Sequence, residues 1–346
     1  MRDELLAHLA CPACGGRFAL DVHDRDGDEI IEASLSCVAC GRSYAVRRGV
    51  PRLNWAMEGL QEVADAFTHE WKAHHAGRLE SETIFGRSLE EDWAHFRHGT
   101  RVSDADLVGK RVLDVGCGAG RLTRQVAEHG AALVVGVDMN DAIEEVFVRG
   151  RGAPNFHVVQ ANLFALPFRP ASFDLVWSCG VIHHTPDAAG AFAALTRQVR
   201  PGGVLFVWVY PARFNPFRAT KSIFDRLGLG RLSSPAILRI AKLLSYPSLV
   251  LLALYRLIRS VPGLRPRTAW GRRTVKPRAL REIQLTWNDA LAPGYQSRHR
   301  EEDVAGWFRR AGFRDLAAMD EPKIGMRGVA PPPDGESTEE TVGIPP

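Results

Sequence analysis

The sequence predicts an α/β protein: a mostly parallel, doubly wound sheet preceded by a small metal-stapled module and interrupted by a helical insertion. Three observations carry this. Four of the six cysteines fall into two Cys-x-x-Cys pairs near the N-terminus. From Lys110 onward, short apolar runs alternate with glycine turns and helical patterns, which calls for parallel strands covered on both faces. Between Pro211 and Leu285 that rhythm stops and cations accumulate. A length of 346 residues suits two folded units, or one large unit with an attachment. With 45% hydrophobic and 24% charged residues, wholesale disorder, collagen and coiled coil are excluded.

The first element is residues 1–53. Cys11/Cys14 and Cys37/Cys40 each leave two residues between thiolates, so one tight turn presents both sulfurs to a single ion. Gly15 and Gly41 follow the pairs and let each turn close. Two such knuckles complete a tetrahedral site with no position left for water, which makes the metal structural zinc and a source of folding energy. Two local disulfides are the alternative, and a reducing compartment opposes them. The N-terminal stretch carries acids and no apolar core of signal-peptide length, so the expected location is cytoplasmic.

Residues 54–108 read as a helical linker or cap, with amphipathic helices over 56–75 and 88–98. Phe67 and Trp71 are four apart and form one apolar stripe for packing on the next domain; direct ligand contact is the alternative. The core is expected over 109–210: RVLDV, GCGAG, a helix over 121–129, AALVVGVD, a helix over 141–148, FHVVQ, FDLVWS, a helix over 187–199, the turn RPGG and VLFVWVY. Residues 211–285 form the insertion, read as two apolar helices broken at Pro247, with neither run long enough to span a bilayer. It holds 16 Lys or Arg against Asp225 and Glu282, a balance of +14, so the remainder of a chain with formal charge +4 sums to −10. Residues 286–330 complete the sheet with a helix over 301–310 and two strands, and 331–346 form a polar, Pro-rich disordered tail.

The chemistry concentrates in VLDVGCGAGR. Asp114 ends a strand, and Gly116, Gly118 and Gly120 let the backbone turn beneath a bulky ligand. A dinucleotide loop has the spacing Gly-x-Gly-x-x-Gly. Here it is Gly-x-Gly-x-Gly with an acid two residues ahead, suited to a cationic ligand without phosphate. Asp138 closes the next strand, where a carboxylate accepts both ribose hydroxyls of a nucleoside. Asn162 and Leu163 follow the third strand at the level of an adenine, and Cys179, Gly180, His183 and His184 follow the fourth.

The wording LACPACGGRF and LSCVACGRSYAVRRGVPRL, over about residues 5–53, resembles the zinc-ribbon family that includes the activator subunit of certain tRNA and protein methyltransferases. That resemblance implies a docking module and a protein partner at the ribbon. From about Phe67 to Arg327 the chain resembles the class I S-adenosylmethionine-dependent methyltransferases, in the branch containing quinone-biosynthesis and secondary-metabolism enzymes. It implies a Rossmann-like, seven-stranded fold with S-adenosyl-L-methionine as cofactor. Asp114, Gly116, Gly118, Asp138, Asn162 and Leu163 are its implied contacts, flanked by Cys117, Met139 and Cys179. Many members of that family have an acid where this chain has Asn162.

Methyl transfer from a sulfonium is an in-line displacement, so alignment and exclusion of water do most of the work, with a base only if the acceptor must lose a proton. His183 and His184 are the candidate catalytic residues, because imidazole titrates near neutrality. Packing against the following helix is the alternative for both. Tyr210, Asp289, Tyr295 and His299 are secondary acceptor-site candidates. Ser178-Cys179-Gly180-Val181 stands where enzymes of exocyclic nitrogens carry Asn/Asp-Pro-Pro-aromatic, and a second cysteine for pyrimidine C5 chemistry is missing. The favoured acceptor is therefore a small or lipid-linked molecule, with the insertion as a lid or as a peripheral membrane contact through 232–260. An RNA acceptor gripped by ribbon and insertion ranks second, and a non-catalytic interaction protein third.

Overall fold

A computed structural model describes residues 1–79, 84–85, 87–212, 216–229, 232–260, 280–292, 294–319 and 324–332. The tail expected from 333 onward and the cation-rich stretch 261–279 lie outside the described residues.

The N-terminal module is a short helix α1 (Asp3–Leu6) and an antiparallel meander of β1 (Phe18–Asp26), β2 (Glu29–Cys37), β3 (Ser43–Arg47) and β4 (Val50–Pro51). After α2 (Gln61–His75), α3 (Leu89–Thr100) and α4 (Asp104–Leu107), the chain enters a Rossmann-like core. Its strands are β5 (Arg111–Val115), β6 (Leu133–Asp138), β7 (Phe156–Gln160), β8 (Phe173–Cys179) and β9 (Val199–Val209). They alternate with α5 (Arg121–Glu128), α6 (Ile143–Gly150) and α7 (Ala188–Thr196). The insertion supplies α8 (Pro216–Arg226), α9 (Ser234–Ser260) and α10 (Leu280–Leu291), and the chain closes with α11 (Glu301–Arg310), β10 (Arg314–Ala318) and β11 (Ile324–Val329).

The seven-stranded sheet runs β10-β11-β9-β8-β5-β6-β7, parallel from β9 to β7, with β11 antiparallel to both its neighbours. The strand order reverses at β5, so the loops after β5 and β8 open a crevice at the carboxyl edge, where such sheets bind ligands. Each parallel strand is buried on both faces. Leu113, Val135, Val159 and Val207 join a core under α7 and α11, whereas Val112, Val134, Trp177 and Phe206 join another under α3 and α5.

The N-terminal module is docked onto the β7 side of this sheet. Leu53 N donates to Gln160 O at 2.8 Å, Ala10 N to Pro167 O at 2.8 Å, and Arg48 pairs with Glu144 at 2.8 Å. Leu5, Leu9, Ile30 and Leu35 belong to the same buried cluster as Val135 and Val159.

Two expectations are corrected. The turn foreseen at RPGG lies inside β9, where a register shift opposite Phe173 and Leu175 lets the strand continue from Val199. The insertion's apolar pair is one helix of 27 residues running through Pro247. Pro247 sits on the exposed side, so the carbonyl it leaves unbonded faces water, while the opposite side is held by α10. As a consequence Ser234–Leu254 is, by length and composition, long and apolar enough to cross a bilayer, contrary to the reading of two short runs.

Candidate active site

The four cysteine sulfurs lie within 4.8 Å of one another, with Cys14–Cys37 at 3.5 Å and Cys11–Cys40 at 3.8 Å. A tetrahedral zinc with ligands at about 2.3 Å needs edges of about 3.8 Å, so the donor set fits. Backbone turns hold the knuckles: Gly15 N donates to Cys11 O at 2.7 Å and Gly41 N to Cys37 O at 2.9 Å. All four positions are thiols, which makes the centre structural.

At the sheet's carboxyl edge, the loop after β5 is clamped from three sides. Gly116 N and Cys117 N donate to Val137 O at 2.7 and 3.0 Å. Gly116 and Gly118 both have positive φ, and a Cβ on them would meet Val181 at 2.2 Å and the Trp71 indole at 2.8 Å. Beside this loop lie two acids, Asp114 buried and Asp138 half-buried. Thr123 Oγ1 donates to Asp114 Oδ2 at 2.6 Å, and Asp138 accepts from Gly118 N at 3.0 Å and Asn140 N at 3.2 Å. Burial pushes the Asp114 carboxyl up to about 7 against the pull of Thr123, and burial likewise raises Asp138. Among the described residues no Lys or Arg relieves either carboxylate.

The remaining residues foreseen as cofactor contacts have different local tasks. Cys117 is half-buried, and desolvation of its thiol holds it well above the ordinary range. Met139 offers its carbonyl to Asn54 Nδ2 at 3.2 Å and Gln160 Nε2 at 3.1 Å. Asn162 is fully buried: its Nδ2 donates to Trp55 O and Ala56 O at 3.1 and 2.9 Å, and its Oδ1 accepts from Phe164 N at 3.0 Å. The amide thus ties the 54–60 segment to the turn at Leu163–Ala165, and Leu163 is buried with it. Cys179 Sγ lies 4.0 Å from His95 Nε2, toward α3.

His183 and His184 occupy a tight turn (Ile182–His184) after β8, their ring centres 4.2 Å apart. The His183 ring lies 4.0 Å from Tyr210, and Phe67 of α2 meets His184 edge-on at 5.4 Å. His184 Nδ1 donates to Tyr295 O at 3.1 Å, which leaves Nε2 as the unprotonated nitrogen, 3.8 Å from Asp289 Oδ1. That Nε2 is buried without a hydrogen-bond partner among the described residues. Burial depresses the His184 pKa, and Asp289 opposes the shift. Tyr210 donates to Asp289 Oδ2 at 2.6 Å, and Asn288 Nδ2 donates to Glu70 Oε2 at 2.6 Å. Glu70 is fully buried near Asp289, and burial first, that charge second, raise its pKa well above the carboxylate range.

The structure thus brings Tyr210, Asp289 and the Tyr295 carbonyl around His184, while His299 turns aside to Ser297 at 2.9 Å. Glu70 and Asn288 escaped sequence reading, because each is one polar residue within an ordinary amphipathic helix.

A parallel sheet with a glycine loop, an acid at the end of each of two adjacent strands and an aromatic, imidazole-lined roof defines a Rossmann-like methyltransferase fold. Residues 113–207 match the methyltransferase domain family, and residues 2–49 match the Trm112p-like protein family. The region similar to the methyltransferase domain family thus follows the region similar to the Trm112p-like family. It is 37% identical over 106 residues to a ubiquinone biosynthesis O-methyltransferase of Neisseria meningitidis, covering 30% of this chain and 44% of that protein. It is 29% identical over 176 residues to cycloartenol-C-24-methyltransferase 1 of Oryza sativa, covering 47% and 46%. The chain thus spans a little under half the length of these relatives. Magnesium protoporphyrin IX methyltransferase from Synechocystis superposes with a TM-score of 0.42 at 16% identity, over 78% of this chain and 99% of that one.

Proposed function

We propose that the chain transfers the methyl group of S-adenosyl-L-methionine to a small-molecule or lipid-linked acceptor. The observation that carries this is the pair Asp114/Asp138 beside the Gly116–Gly120 loop, one buried and one half-buried acid with no cationic partner among the described residues. A sulfonium nucleoside bearing an amino-acid tail supplies the activated methyl and the missing positive charge. In this reading Asp138 holds the ribose, Asp114 acts through Thr123 and the loop on the methionine end, and the walls formed by Cys117, Met139, Leu163 and Cys179 enclose the remainder. Asn162 contributes by fixing the segment that covers the adenine side. Trp71 and Phe67 roof the crevice, exclude water, and place an indole face where a cation is favoured.

His184 is the base this reading favours over His183. Its neutral ring, with Nδ1–H committed to the Tyr295 carbonyl, keeps Nε2 available for an acceptor proton, and Asp289 stabilises the imidazolium that results. The relatives named for quinone and sterol methylation support an apolar acceptor. The ribbon's partner in this reading is the chain's own core, and the location is cytoplasmic.

Calorimetry on zinc-loaded protein with S-adenosylhomocysteine tests the proposal. We expect saturable binding that weakens at least about tenfold in Asp138→Asn, since a charge-assisted pair of hydrogen bonds is lost. Absence of any heat with folded protein would refute it. Binding with no methyl release from labelled cofactor in any cell extract would leave a cofactor-binding interaction protein.

A further inference from the structure

We infer that the outer face of α9 docks on an anionic membrane surface, with the candidate acceptor site on the far side of the packed helices α9 and α10. For what the surface delivers, this rests on the methyltransferase reading above; the docking itself does not.

The helix has two unlike sides. Ile237 and Ala241 pack with Ile283, Trp287 and Leu291 of α10, and Trp287 Nε1 donates to Ser248 Oγ at 2.9 Å. On the other side Leu243, Tyr246, Val250, Leu251, Leu254 and Ile258 are between 47% and 69% exposed. Their spacing of three, four and seven residues makes them one continuous stripe. Only 22% of the window Ser234–Leu254 is buried, at a mean hydropathy of 1.7. An apolar face of this length left to water marks an interaction surface.

Charge decides what covers it. The segment 211–285 carries +14, and the exposed Arg226 and Arg239 belong to its described part. Arg239 stands four residues before Leu243 on the stripe side of α9, so two copies meeting through this face would bring that cation to their shared seam, whereas a bilayer with anionic headgroups pairs with it while its acyl boundary takes the stripe. A transmembrane course would strip α9 from α10 and expose the Trp287–Ser248 pair to hydrocarbon.

The position of α10 ties the face to the site. While Trp287 faces α9, Asn288 and Asp289 of the same helix reach Glu70 and Tyr210 beside His184. Packed helices stand about 8–10 Å apart, so an acceptor with a lipid tail can keep that tail in the bilayer while its head enters beneath α10.

The test uses the full chain and vesicles of phosphatidylcholine, with or without phosphatidylglycerol. We expect flotation with the mixed vesicles only, reversed by raised salt, and reduced at least about tenfold in V250D/L254D, since two apolar anchors are removed and negative charge is added. That variant should keep its circular dichroism and its binding of S-adenosylhomocysteine. Equal flotation of the variant overturns the inference, as does a concentration-dependent dimer that the variant dissociates. Resistance to alkaline carbonate extraction, showing a span, or tighter binding to poly(U) RNA than to the vesicles also overturns it. Loss of vesicle binding with nucleoside binding intact sinks the docking alone; the reverse outcome sinks the methyltransferase reading alone.

Discussion

In the proposed reading, Asp114 couples the cofactor site to pH. Its carboxyl is pushed from 3.8 up to about 7 by burial, so the folded protein holds a proton there that the unfolded chain has lost. The stability this group contributes is complete below the ordinary carboxylate range and is lost as pH rises through about 7. A bound cation reverses the preference. Cofactor binding should therefore release protons between about pH 5 and pH 7 and tighten as pH rises, read by calorimetry in two buffers of different ionisation enthalpy. A flat affinity with no proton release would take the cation away from Asp114. Asn162 gives a contrasting case, since its three buried hydrogen bonds serve the 54–60 segment and the turn after β7. Asn162→Ala should cost about 2–4 kcal/mol in urea unfolding. Loss of nucleoside binding at unchanged stability would put the amide on the adenine instead.

At the scale of elements, α2 and α10 meet through Glu70 and Asn288, a contact that binds the insertion to the cap over His184. Because the Glu70 pKa is raised, its contribution favours the folded state at low pH and is lost as pH climbs. Glu70→Gln keeps the acceptor oxygen for Asn288 and removes the titration, so the variant should gain stability over wild type above neutrality and match it only below about pH 4, where the unfolded carboxyl is protonated too. An unchanged pH profile would show that Glu70 is not the titrating group. The parallel strands and their helices were legible because each is a short apolar run between glycine turns, and Gly116, Asp114 and Asp138 sit at strand ends that periodicity marks. Pro247 misled because a proline reads as a break; tertiary packing on Ile283 and Leu291 carries the helix across it. Tyr210, Asp289 and His184 could be named as candidates for one site, but their contacts could not be read, since 79 residues separate the first two and only the fold brings them to 2.6 Å.

For the whole molecule, the decisive feature is one hydrophobic cluster shared between the cysteine module and the sheet. Leu9, Ile30 and Leu35 from the module lie in it with Val135, Val159 and Phe168 from the core. Modules joined by a linker would unfold separately, but modules that share a buried cluster lose it together. A structural zinc contributes about 10–16 kcal/mol of apparent binding free energy, more than the net stability of most domains, so its removal should reach well beyond the four cysteines. The sequence provides a clean reporter, because none of the eight tryptophans falls within residues 1–53, whereas Trp177 and Trp208 are buried in the sheet. Chelation of the zinc, or Cys37→Ser, should therefore lower the thermal midpoint seen by tryptophan fluorescence together with that seen by far-UV circular dichroism, in a single transition. If the metal is released while the tryptophan transition stays in place, the shared cluster does not couple the two parts. The cysteine module would then be a passenger on a core that stands by itself.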